Sequence, residues 1–297
     1  MSLTLEDILS DNKSGSELIS RKALEYYKQS LISAADSGAD EEEICSNLQA
    51  ESKTLIKNQP NMVLLRYSSA VVIDYFKRQL KSKKAGNNAY TSVIARIDEL
   101  FSELEEDTAK IKLMGSRIIA SSNKVMTISS SNLVREILLS IADQKRRFEV
   151  FSLASAPPAE GTAFAEMLAD KKIKTTLIAD SQAGVFVSKM NLVLLGADRI
   201  CSDSFINKAG SLPLCLAAKH FDVPVYLAVN TKKILLESDR AVKFLNQNSD
   251  EVYIGKNKKL HHQNIYFESI PLELVHKVIC EDGVFESFEF INWYLKE

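Results

Sequence analysis

From Gly115 onward the chain alternates short apolar, β-prone runs with stretches of helical spacing, and this alternation constrains the fold most. Val125 to Ser129 leads into a helix reaching about Lys145, and Phe148 to Ser152 into one from Gly161 to Ala169. Thr175 to Ala179 is followed by a short helix, then by Leu192 to Leu195, a further helix, and Val225 to Val229. Apolar runs of this length without in–out alternation are strands buried on both faces, and strands separated by helices pair in parallel. The expectation is a doubly wound, mostly parallel, Rossmann-like α/β sheet domain over 121–297, with helices on both faces.

Residues 1–120 read as a helical N-terminal domain. No glycine lies between Gly38 and Gly86, and only Pro60 interrupts that stretch. Ser16 precedes Leu18, Ile19, Ala23, Leu24 and Tyr27 in helical spacing. Asp40 to Glu43 form an acidic first turn, which suits a helix dipole. Val63 to Leu80 is apolar on more than one side, so that helix is buried broadly. Lys81 to Asn88 reads as a polar loop, and Tyr90 to Leu113 as another helix.

Composition mostly excludes. The 297 residues are 45% apolar, enough for a sizeable core, and the net charge of −2 gives no global attraction to nucleic acid. Any phosphate binding is therefore local. Cys45, Cys201, Cys215 and Cys280 show no metal-ligand spacing, and as mostly buried thiols they fit a reducing cytoplasm. His261 and His262 are adjacent in a polar stretch and read as a surface loop. No strand is followed by GxGxxG, so neither metal nor dinucleotide cofactor is expected. No apolar run approaches the roughly 20 residues of a membrane span.

The candidate site centres on Asn191 to Lys219. Its strand turns at Gly196 and places Asp198 just past the strand end. A polar loop with Asn207, Lys208, Gly210 and Ser211 follows, then a helix with Pro213 in its first turn. Ligands of open parallel sheets bind outside the carboxyl ends of the strands. Lys208 and the helix-start amides offer a phosphate site, and Asp198 a proton-transfer group. The residues alone equally allow a turn-capping Asp198 and a solvated Lys208.

GADRI, NKAGS and LAAKHFDVPVYLA resemble the alpha, beta and delta subunits of translation initiation factor 2B, and the related isomerases of methylthioribose 1-phosphate and ribose 1,5-bisphosphate. Asn264 to Glu268, Pro271 to Leu274, and Glu281-Asp282-Gly283 are similar to the family's NPxFD, TPPELI and TExG signatures. The resemblance is dense from about Lys124 onward. It places Ser129 at the position of the isomerases' catalytic cysteine, with Ser130 and Ser131 beside it. A serine there needs an adjacent base, and no histidine is near in sequence; the same serines suit helix capping. Ala154 to Gly161 resembles ESRPxxEG, keeping Pro157, Glu160 and Gly161 but holding Ala154 and Ala156 at the glutamate and arginine positions. Gln59 stands at the arginine of an RPT motif. Asp180 is either a helix cap or a wall of the cleft.

These departures imply a protein that kept the fold and part of the pocket, binding a phosphorylated small molecule, a sugar phosphate or nucleotide, in a regulatory or non-catalytic role. The alternative is an aldose–ketose isomerase of a phosphorylated sugar using Asp198. The resemblance also implies self-association, at least into a dimer.

Overall fold

The structure, a computed structural model, describes residues 3–82, 88–236, 242, 244–255, 257 and 259–296. The chain forms two compact units, Met1–Asp107 and Thr108–Glu297. The first is helical: α1 (Leu5–Leu9), α2 (Ser16–Ser37), α3 (Glu41–Asn58), α4 (Val63–Ser82) and the start of α5 (Ala89–Ile118). The local chemistry fits these limits. Gly38 ends α2 at φ 66°, and the Asp40 carboxylate caps α3 by accepting from the Glu43 amide at 2.9 Å. Gly15 is the N-cap of α2, and Ser16 is its first residue. The apolar breadth of α4 is burial of Val63, Leu64, Leu65, Val72, Ile73 and Phe76. Of the expected loop over Lys81 to Asn88, Lys81 and Ser82 close α4, and 83–87 lie outside the described residues.

The last turns of α5 pack with the second unit, where Ile111 shares a core cluster with Val125 and Ile137. Then follow β1 (Lys124–Thr127), α6 (Asn132–Asp143), β2 (Glu149–Leu153), α7 (Glu160–Asp170), β3 (Lys174–Ile178), α8 (Ala183–Phe186), β4 (Leu192–Gly196), β5 (Arg199–Ile200), β6 (Ser204–Lys208), α9 (Ser211–His220) and β7 (Val225–Ala228). An irregular stretch leads to β8 (Phe267–Pro271), β9 (Lys277–Cys280), β10 (Gly283–Glu286) and α10 (Ser287–Tyr294).

Seven strands form one sheet in the order β10-β9-β7-β4-β1-β2-β3, parallel except for the antiparallel edge strand β10. Alternate residues of β4 serve opposite cores. Leu192 and Leu194 join the face covered by α6 and α7; Val193 and Leu195 join the face covered by α8, α9 and α10. Burial on both faces is why the strand reads as an unbroken apolar run. A second, antiparallel sheet, β5-β6-β8, was not expected. It corrects the reading of Asn207 and Lys208 as loop residues: both lie in β6, opposite Glu268 and Phe267. Among the described residues, no helix is long and apolar enough to cross a membrane.

Candidate functional site

From β1 the chain winds outward to β2 and β3 with α6 and α7 on one face. From β4 it winds the other way, with α9 on the opposite face. The switch point is therefore between β1 and β4, the place outside the strand ends where open sheets of this kind bind ligands. Ser129 leaves β1 and Asp198 leaves β4 at this point. The two loops touch: a Cβ on Gly196 would lie 2.3 Å from Ser131 Oγ, so only glycine lets β4 end this close to the start of α6. Asp198 is half-buried, and its amide donates to the Ile206 carbonyl at 2.9 Å.

Ser129 has φ 69°, and its hydroxyl bonds Glu160 rather than capping α6. Capping falls instead to Ser131, which accepts from the Val134 amide. The Ser129 hydroxyl donates to Glu160 Oε1 at 2.8 Å, and its amide donates to Ser155 Oγ at 2.7 Å. Ser129 thus has an adjacent base, a carboxylate 31 residues away in sequence. Glu160 opens α7, and its other oxygen meets Lys208 Nζ at 3.2 Å. The two side chains are 9% and 6% exposed. Burial pushes the Glu160 carboxyl up and the Lys208 ammonium down, and each opposes the other's shift.

Lys208 is not a free anchor. Its ammonium also donates to the Pro157 carbonyl at 2.6 Å and lies 4.4 Å from the Tyr266 ring centroid, a cation–π distance. The helix-start amides are occupied as well. Glu268 Oε1 accepts from the amides of Gly210 and Leu212, each at 2.7 Å, because the β6–β8 pairing brings it to the start of α9. Gly210 has φ 104° in this turn, which favours glycine. Asn207 donates to Ser211 Oγ at 2.9 Å, and Ser211 to the Lys208 carbonyl at 2.6 Å, so both serve the turn. Glu268→Ala is expected to cost about 0.5–2 kcal/mol, the value of a helix cap, read from the urea midpoint at unchanged slope.

Asp180 is neither a cap nor a bare wall. Its oxygens accept from the amides of Ser155 and Ala156, both at 2.8 Å, and pin the loop after β2. Gly161 is held in close packing. A Cβ there would lie 2.0 Å from the Leu153 carbonyl oxygen and 2.6 Å from Ser155 Oγ. Gly161→Ala must move backbone, so a loss at the upper end of the roughly 1–3 kcal/mol typical of overpacking is expected, measured by thermal unfolding.

Two residues near Lys208 escaped sequence reasoning. Tyr266 supplies the ring over Lys208, and its hydroxyl donates to Glu251 Oε2. Asn264, the first residue of the NPxFD-like motif, donates to the same oxygen at 2.8 Å and to the Asn248 carbonyl at 2.7 Å. That motif thus fastens the 246–251 segment to this network. No group of three His, Cys, Asp or Glu side chains among the described residues is arranged to hold a metal ion.

Comparison with known proteins matches residues 12–287 to the initiation factor 2 subunit family. A Pyrococcus furiosus protein named as eIF-2B subunit 2-like is 29% identical over 191 residues, covering 64% of this chain and 67% of its own. A ribose 1,5-bisphosphate isomerase of Archaeoglobus fulgidus is 29% identical over 229 residues, covering 77% of this chain and 70% of its own. The crystal structure of a Pyrococcus horikoshii eIF-2B protein superposes with a TM-score of 0.81 at 22% identity, covering 97% of each chain, a likeness of fold. With the family's pattern running through nearly the whole chain, this protein belongs to the initiation factor 2 subunit family.

Proposed function

We propose that this sheet edge binds a phosphorylated sugar and interconverts its aldose and ketose forms, with Asp198 moving the proton. The observation that carries this reading is the placement of Asp198 and Ser129 on the two strands flanking the switch point. Aldose–ketose interconversion relocates a proton, which suits a half-buried carboxylate at the same sheet edge as a hydroxyl backed by a second carboxylate. The amides of Ser130, Ser131, Asn132 and Leu133, at the start of α6, have no hydrogen-bond acceptor among the described residues. They are the donors left open for a phosphate. Lys208 acts at one remove, holding Glu160. That a relative is named as an isomerase of ribose 1,5-bisphosphate supports the reading.

The second reading is a binder without catalysis. Ala154 and Ala156 leave the β2–α7 loop without a charged side chain at the family's glutamate and arginine positions, and Lys208 is engaged internally. A coupled isomerase assay on ribose 1,5-bisphosphate and methylthioribose 1-phosphate separates the two. Turnover that fails in Asp198→Asn supports the enzyme. Phosphate-dependent binding without turnover supports the binder. Self-association into at least a dimer is part of either reading, and a monomer in sedimentation at micromolar concentration would contradict it.

A further inference from the structure

The Ser129, Glu160 and Lys208 constellation has a geometry that proton relocation in a sugar does not require. Ser129 lies two residues past the end of parallel strand β1, sits at φ 69°, and comes three residues before the 12-residue helix α6. Strand, serine at positive φ and helix follow one another in the same order as in the turn that lifts a hydroxyl above a sheet edge in serine hydrolases. The hydroxyl donates at 2.8 Å to Glu160 Oε1, and Lys208 holds the other Glu160 oxygen at 3.2 Å. A nucleophile, a base within hydrogen-bond reach, and a third group orienting the base are the parts that covalent catalysis needs. The open amides from Ser130 to Leu133 add donors beside the serine, where an oxyanion would form. Ser129 is half-buried, so a small reagent can reach it.

We infer that Ser129 is a nucleophile toward carboxylic esters and equivalent electrophiles, with Glu160 as its base and Lys208 as the group that positions Glu160. Ser129 Oγ bonds to the ester carbonyl carbon and passes its proton to Glu160. The α6 amides hold the oxyanion. The C–O bond to the alcohol breaks, and the alcohol leaves with the proton from Glu160. Water then attacks the acyl-serine; its proton goes to Glu160 and is returned to Ser129 as the acid departs. No metal, reductant or oxidant is needed. This inference does not rest on sugar isomerisation, since the labelling below needs no sugar turnover.

The test is reaction of the full chain with an alkyl fluorophosphonate. The oxygen–phosphorus bond forms, the P–F bond breaks, fluoride leaves, and the serine proton goes to Glu160. Intact mass should show one adduct, and peptide mapping of the wild-type protein should place it on Ser129. Ser129→Ala should abolish labelling. Glu160→Gln should slow it at least 10-fold, with circular dichroism reporting whether that variant is folded. Peptide mapping keeps the inference testable if Glu160→Gln does not fold. An unlabelled wild type, or an adduct on any other residue, overturns it.

Discussion

Lys208→Met should unfold well below the wild type. The substitution leaves Glu160, 9% exposed, without its ammonium. Breaking a buried pair from one side typically costs about 3–5 kcal/mol, because an uncompensated charge remains. At about 2–4 °C per kcal/mol for a domain of this size, the melting temperature falls by about 6–20 °C. The double variant Lys208→Met/Glu160→Gln should lose less than Lys208→Met alone, since no buried charge is stranded. Equal or greater loss in the double variant would contradict this account. The pH dependence follows from the same burial. Glu160 is raised above its ordinary 4.5, so its contribution to stability is full below that value and is lost as pH rises through the raised one. Lys208 is lowered from 10.5, so its contribution is full above that value and is lost as pH falls through the lowered one. Both therefore contribute least between the raised Glu160 value and the lowered Lys208 value, and the double variant should flatten that minimum. Urea midpoints across pH measure it.

Asp198→Asn should leave the protein folded and remove its proposed isomerase activity. The side chain is half-buried, so the amide is accommodated with little change in melting temperature. Loss of a general acid–base group lowers turnover ~10²–10⁴-fold. The change should appear in kcat rather than KM, because Asp198 is not assigned to hold the phosphate. Unchanged turnover in a folded Asp198→Asn protein would remove this residue from the mechanism.

What the chain reveals in advance is what local pattern encodes. The run Leu192–Leu195 is apolar without alternation because both faces of β4 are buried, so strand and parallel sheet were legible together. The acidic turn at Asp40 and the placement of Asp198 past β4 were legible for the same local reason. The small sheet was not. Phe205 to Lys208 are all buried, yet two of the four are polar, so neither a strand period nor an apolar run marks β6. Its partner β8 lies some 60 residues on. With that pairing hidden, nothing indicated that Glu268 would reach the α9 amides, or that Tyr266 would lie against Lys208. Lys208 reads as a phosphate anchor or a solvated side chain in a polar stretch because its carboxylate partner is 48 residues away. Glu160 and Gly161 are adjacent in one motif, yet one carries charge chemistry and the other close packing.

The carboxylates that close the loops also set an order on how this site can change. An arginine at position 156 would be attached to the very residue whose amide Asp180 grips at 2.8 Å. The new guanidinium would fold onto that carboxylate before it met a ligand. Recovering a second anion site there would take two changes, loss of the internal acid and gain of the base. The first alone unpins the loop, and the second alone is neutralised. The route is therefore epistatic, and mutational scans should find Ala156→Arg silent in binding unless Asp180 is altered with it.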